Sequence, residues 1–411
     1  MRDFSLRLFV KALGHLAMFG FAFLGIAAMA LGQDIPASSS AANPYMGLML
    51  AARRHAEAHG VKVAPVLSPL DVTLLGEHPA VDVASLHAAG FRVIPWTTDD
   101  EAKMRALIAL HVDGDITDRP DLLQKVLQEE RETAKGDAAR LDYLAKFVVS
   151  AHRGGRGLRP ENTLPSFENG LDHLATELET DTGVSTDHVS LIWHDQFYNP
   201  LSCRKADGSA YTMENRVYLR DISSTDAQKT FICDKLHQGP AYGAAQFPEQ
   251  KNDLSLSPVS VAFAKKEGMI NPYAPTYVGQ LFRFVAFYAE YYAKGPGRSE
   301  PEAAARAANA RTVRFNLETK ILPELPASMT ANAKDPAESL VNHTVGPQLF
   351  VETLCGVIEK YHMVSRAEVQ SFDFRTLQLV EEQYPEIPTY YLTGPAAMLS
   401  SPMVPESLRQ K

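Results

Sequence analysis

Cysteine is nearly absent from this chain: three residues in 411, at Cys203, Cys233 and Cys355. That excludes a small disulfide scaffold and any cysteine-rich metal module. Cys203 and Cys233 lie in one region and can pair. Three unpaired small hydrophobes is the competing reading, because sequence does not fix connectivity. Positive charge is also in deficit. The formal net charge is −9, from 40 basic and 49 acidic residues. A nucleic-acid partner is therefore not expected, and an anionic substrate must be held by local cations or a metal. Only one apolar run approaches membrane-spanning length, from Leu13 to Leu31. Arg2, Arg7 and Lys11 precede it, and Ala28, Ala30 and Gly32 close it. Basic start, apolar middle and small-residue exit read as a signal peptide over residues 1–32. The chain is accordingly expected to be secreted or periplasmic, with an uncleaved anchor as the rival and no stable span after cleavage.

What is present is ordinary globular material, with 45% hydrophobic and 22% charged residues. Residues 33–45 form a Ser/Ala/Pro-rich lead-in, and a single domain is expected over 46–411. A helix is expected from Met46 to His59, then an apolar run Val61–Leu67, a helix around Val81–Ala89 and a strand Phe91–Trp96. A further helix and the strand Val112–Thr117 follow. A charged helix, roughly Arg119–Lys146, has no strand partner. Strand-like runs then recur near Phe147–Ala151, Thr176–Asp181, Val189–Trp193, Thr312–Leu317, Ala367–Phe372 and Pro388–Leu392. Repeated strand–helix alternation with about eight strands predicts an α/β protein, a (β/α)₈ barrel. Residues 196–311 are too long for a simple crossover. They read as an insertion that covers the site or shields the barrel side.

Five short strings sit where strands should end: Ala151-His152-Arg153-Gly154 with Pro160-Glu161-Asn162-Thr163; Glu179-Thr180-Asp181; His194-Asp195; Glu318-Thr319-Lys320; and Trp96-Thr97. Glu179 and Asp181, two apart on a strand, face the same side. Like charges there repel unless a cation lies between them. With Glu318 they make an oxygen site suited to Mg²⁺ or Ca²⁺. Glu177 faces the same way, as a fourth ligand or a solvated neighbour. His152 and His194 can serve as general base and acid, while Arg153 and Lys320 match phosphate oxygens. A structural histidine at a strand end is the bland reading of either one alone.

At these residues the chain resembles the glycerophosphodiester phosphodiesterase family, which shows H-R-G, P-E-N-T, E-x-D, H-D and E-x-K in that order. Thr186-Asp187 fits the same pattern, and Gln370-Ser371-Phe372-Asp373 looks like the family's next strand. The family's closing W-T and D-G-x-x-T-D-x-P strands do not follow Phe372. They stand instead at the front, as Leu86–Thr97 and Asp113–Pro120. The resemblance therefore implies a circularly permuted barrel: residues 46–120 carry the family's C-terminal elements and 121–146 a joining helix. Family strands one to six then fall within 147–395, with the insertion between the third and fourth. Either Val61–Val66 or Pro388–Leu392 would supply the sixth strand.

Carried over residue by residue, His152 and His194 resemble the acid/base pair, and Glu179, Asp181 and Glu318 the ligands of Ca²⁺ or Mg²⁺. Arg153 and Lys320 resemble the phosphate contacts, Trp96 an aromatic wall and Glu161 a supporting residue. The implied activity is hydrolysis of a glycerophosphodiester to glycerol 3-phosphate and an alcohol. A lysophospholipase-D- or sphingomyelinase-D-like phosphodiesterase on the same barrel is the near alternative, favoured if the helix around Leu281–Tyr292 builds a wide apolar mouth. A non-catalytic binding protein is the alternative of another class.

Overall fold

A computed structural model describes residues 43–76, 78–238, 247–322, 342–401 and 404–409. The expected signal peptide and most of the expected lead-in lie outside the described residues. Strands β1 (Val66–Pro69), β2 (Gly114–Thr117), β3 (Val148–Ala151) and β4 (Glu177–Val184) come first. After them come β5 (Ser190–Ile192), β6 (Arg204–Lys205), β7 (Phe231–Ile232), β8 (Arg314–Thr319), β9 (Ala367–Ser371) and β10 (Thr389–Thr393). Parallel pairing runs β1-β10-β9-β8-β4-β3-β2.

The ring closes through residues 93–96. Val93 bridges Leu67, and Trp96 bridges both Leu70 and Ile116, all in parallel. The amides of Ile94 and Ile116 donate to the carbonyls of Leu67 and Pro95. Seven strands and this segment make eight parallel staves in sequence order, the (β/α)₈ architecture expected. Closure leaves no stave with an unpaired edge.

The structure refines the strand assignment. Val189–Trp193 is not a stave, because Ser190–Ile192 folds back antiparallel on β4. The long interval therefore separates the second and third staves counted from Val148, not the third and fourth. The question over Val61–Val66 and Pro388–Leu392 dissolves, since both regions supply staves and β1 pairs directly with β10. Counted from Val148, five staves rather than six lie within 147–395, and β1 takes the sixth place. The unpartnered helix breaks at Gly136 into Pro120–Thr133 and Ala138–Lys146.

A main core lies between the staves and the surrounding helices and includes Leu67, Val93, Val149, Leu178, Leu317 and Val369. The aromatic helix Val278–Ala293 belongs to this core. Phe282 packs edge-on against Phe315 of β8, and Phe284 against Phe263. Its large side chains are consumed by packing, so it does not form a substrate mouth. The insertion has its own core around Trp193, Tyr198 and Phe231. A disulfide joins Cys203 to Cys233 within it, and Cys355 is free and buried.

The insertion is anchored to the barrel layer by Glu168, whose carboxylate accepts the amides of Val259 and Ser260 at 2.9 and 2.6 Å. Those amides open the helix Pro258–Glu267. Burial, then the nearby Asp172, push the Glu168 pKa up from 4.5 to about 8 against these bonds. The folded chain thus keeps a proton that the unfolded chain releases above pH 4.5. This group's contribution to stability is full at acid pH and is lost as pH rises toward about 8. Glu168→Gln should flatten that part of the decline. Urea midpoints at about pH 5 and about pH 8.5 would show it, and an unchanged slope would contradict the assignment.

Candidate active site

The predicted site residues lie on staves or in the loops after them, except His194, which follows the antiparallel strand β5. Beyond β3 the backbone curls through three left-handed residues: Arg153 (φ 51°), Gly154 (φ 84°) and Gly155 (φ 97°). A Cβ at Gly154 would lie 2.6 Å from the backbone carbon of Ser166, so only glycine fits there. The curl turns the amide of Arg153 onto Glu179 Oε2 at 2.8 Å. Asn162, also left-handed at φ 56°, donates from its side chain to Asp181 Oδ2 at 2.8 Å and accepts from Thr180 at 2.8 Å.

Glu179 and Asp181 alternate inward on β4, and Asp181 lies opposite Glu318 in the β4–β8 register. One carboxylate oxygen from each of the three lies within 4.8 Å of the others, and all three residues are buried. Two cations face them. Arg153 Nε is 3.1 Å from Asp181, and Lys320 Nζ is 2.8 Å from Glu318 and 3.6 Å from Asp181. Arg153 is shared with Glu161 at 2.9 Å. Negative charge is therefore in excess. Burial first, then Asp181 and Glu318, push the Glu179 carboxyl well above the usual range. Burial raises that of Glu318 to about 7, against the pull of Lys320. Asp181 stays low because Arg153, His194 and Lys320 outweigh its burial. Its Oδ1 is buried without a hydrogen bond. Three crowded carboxylates with an orphaned oxygen suit a hard divalent cation.

The two histidines are built alike. His152 Nδ1 lies 2.5 Å from Asp118 Oδ1, and His194 Nδ1 lies 2.7 Å from Asp195 Oδ1. A carboxylate on Nδ1 fixes that nitrogen as the donor and leaves Nε2 for chemistry. His152 Nε2 points to the cluster, 3.9 Å from Glu179. Trp96 packs edge-on against Phe372, ring centroids 5.3 Å apart, and its indole donates to Ser68 O; Lys320 Nζ lies 6.0 Å from the centroid of the Phe372 ring.

Sequence reading missed several supports: Asp118, Arg156, Asn162, Asp195 and Gln370. Arg156 joins Asp118 and Glu161, at 2.8 and 3.3 Å, and Gln370 donates to Glu179 at 2.8 Å. Asp118 and Gln370 follow the strand-end pattern that exposed the other residues, while Arg156 carries no such signal. Glu177 is neither a fourth ligand nor solvated. It is fully buried one layer down the barrel, accepting from Ser150 at 2.7 Å and Asn316 at 3.3 Å.

The glycerophosphoryl diester phosphodiesterase family model matches residues 36–122 and 152–260. In these two segments the chain is similar to that family. It is 32% identical over 134 residues to glycerophosphodiester phosphodiesterase domain-containing protein 4 of Macaca fascicularis, covering 32% of this chain and 19% of that protein. Over 45 residues it is 51% identical to a probable glycerophosphodiester phosphodiesterase 2 of Mycobacterium tuberculosis, covering 11% of this chain and 17% of that protein. The chain thus spans less than a fifth of the length of these curated relatives. A glycerophosphoryl diester phosphodiesterase structure from Silicibacter pomeroyi is similar at 19% identity and a TM-score of 0.39, over 59% of this chain and 63% of that one. A phosphodiesterase from Oleispira antarctica, solved with sn-glycerol-3-phosphate, aligns at 12% identity and a TM-score of 0.31, over 59% and 64%.

Burial lowers the His152 pKa to about 4, and Asp118 opposes that fall. Asp118→Asn should therefore move the titration of His152 further down and release its Nδ1–H tautomer. NMR of the imidazole nitrogens would report both; an upward shift would refute this account of the pair.

Proposed function

We propose that this chain hydrolyses glycerophosphodiesters to glycerol 3-phosphate and an alcohol, with a divalent cation, Ca²⁺ or Mg²⁺, at Glu179, Asp181 and Glu318. The observation that carries the reading is the pair of carboxylate-anchored histidines beside a buried, over-acidic cluster. A bound cation would supply Lewis-acid polarisation of the phosphate. The remaining work falls to side chains of the chain itself. Nε2 of one histidine removes a proton from the water whose oxygen bonds to phosphorus, or from the neighbouring glycerol hydroxyl, in which case a cyclic phosphate forms and water then opens it to glycerol 3-phosphate. Nε2 of the other gives a proton to the departing alcohol oxygen as the P–O bond breaks. Asp118 and Asp195 orient the rings and stabilise the imidazolium that forms in turn. Arg153 and Lys320, held by the carboxylates and Glu161, stabilise charge on the phosphate oxygens. Trp96 and Phe372 flank the entrance as apolar walls.

The reading extends to two further features. The family's closing motifs stand in the sixth to eighth staves, ahead of the H-R-G stave, which supports a circularly permuted barrel. The Cys203–Cys233 bridge supports an exported protein, because disulfides persist in oxidising compartments. A lysolipid substrate has less support, since the helix expected to form its apolar mouth is packed into the core.

Glycerol 3-phosphate release from glycerophosphocholine, measured with Ca²⁺, with Mg²⁺ and with EDTA, tests the proposal. Release should require one of the cations and disappear with EDTA. His152→Ala and His194→Ala should each cost on the order of 10²–10⁴ in kcat. Near-normal turnover in both variants, or no release with either cation, would overturn it.

A further inference from the structure

On the outside of the barrel, far along the chain from the carboxylate cluster, a second group of metal-type ligands comes together. The helix Pro44–Ala58 carries His55, and His59 caps its end. The helix Phe374–Gln383 carries Glu381 and Glu382. One ligand atom each from His55, His59 and Glu382 lies within 4.8 Å of the others.

The hydrogen bonds fix which nitrogen each ring presents. His55 Nδ1 lies 2.8 Å from Oε2 of Glu381, whose side chain is fully buried. The other Glu381 oxygen already accepts from Thr389 and Tyr391, at 2.8 and 3.0 Å. His55 therefore donates from Nδ1, and its Nε2 carries a lone pair. That lone pair faces Glu382 Oε1 at only 3.2 Å. Two lone pairs at this distance repel unless a cation or a second proton sits with them. His59 Nδ1 lies 2.9 Å from the His55 carbonyl, which can only accept, so the His59 Nε2 lone pair is also free. The rings lie side by side, centroids 4.5 Å apart.

We propose that His55, His59 and Glu382 form a second metal site, selective for a borderline transition-metal dication such as Zn²⁺. Two imidazoles four residues apart and one carboxylate are a nitrogen-rich set that suits Zn²⁺ and not Ca²⁺ or Mg²⁺. Glu381 plays the orienting part that a carboxylate behind a ligating histidine plays elsewhere. Three protein ligands leave room for water. The site would clamp the helix before β1 to the helix before β10, the two staves at which the ring joins the early and late parts of the chain. Its effect is on stability, and it is independent of the hydrolysis proposed above.

The test is Zn²⁺ stoichiometry and thermal midpoint of the whole chain, in excess Mg²⁺, for wild type, His59→Ala, His59→Gln and Glu382→Gln. His59 is exposed, so its variants should fold with an unchanged metal-free midpoint. Wild type should bind one more equivalent than either His59 variant, whatever the barrel carboxylates take up. Zn²⁺ should raise the wild-type midpoint and not theirs. Glu382→Gln should weaken this equivalent by about tenfold or more. Equal stoichiometry in wild type and His59→Ala, or a midpoint that rises equally in both, would overturn the site. So would displacement of that equivalent by Mg²⁺. The alternative, a doubly protonated His55 bridging Glu381 and Glu382 without metal, corresponds to equal stoichiometry.

Discussion

Repulsion among three buried carboxylates is the constraint around which the barrel's upper end is arranged. Glu179, Asp181 and Glu318 converge because β4 and β8 run in register, and nothing in their backbone could relieve the crowding. The relief comes from elsewhere in the chain. Arg153 reaches Asp181 because the H-R-G curl doubles back, and Lys320 reaches Glu318 from two residues further on. Asn162 and Gln370 add neutral donors. The remaining excess charge is the electrostatic reason that the cluster suits the divalent cation proposed for it, and it arises from geometry alone.

The same logic accounts for the outer ring of supports. Each cation that quiets the cluster is itself buried and needs a counter-ion, so Glu161 and Asp118 are drawn in behind Arg153 and Arg156. Asp118 serves two partners, His152 and Arg156. Buried networks of this kind hold their members in place because losing one leaves another charge unpaired. The preorganisation of His152 is thus a by-product of satisfying Arg156, whereas His194 is held by Asp195, which is braced by Asn199.

The cluster itself was legible in the sequence because strand ends announce themselves: an apolar run followed by charged residues is short, local and periodic. His152, Glu179, Asp181, His194 and Glu318 all carry that signal. The barrel followed from alternation for the same reason. What remained hidden depends on distance along the chain. Arg156 sits in a turn whose partner, Asp118, is 38 residues away. Ser190–Ile192 has the composition of a stave, yet it leaves the ring because the turn after β4 is short enough to fold it back. The aromatic helix at 278–293 looks like a lipid-facing surface until its neighbours are known. Periodicity tells which residues share a face, not what covers it.

Ring closure depends on the pairing of β1 with β10, residues 66–69 against 390–393. Tyr45 adds a bond from its hydroxyl to the carbonyl of Gly394. A ribosome delivers these partners at opposite ends of synthesis. Until the last stave emerges, β1 presents an unpaired edge while the staves from 93 to 319 are already available to assemble. The nascent barrel is therefore an open, curved sheet for most of its production, and the same closure that protects the finished fold makes its unfinished form the most association-prone state the chain passes through.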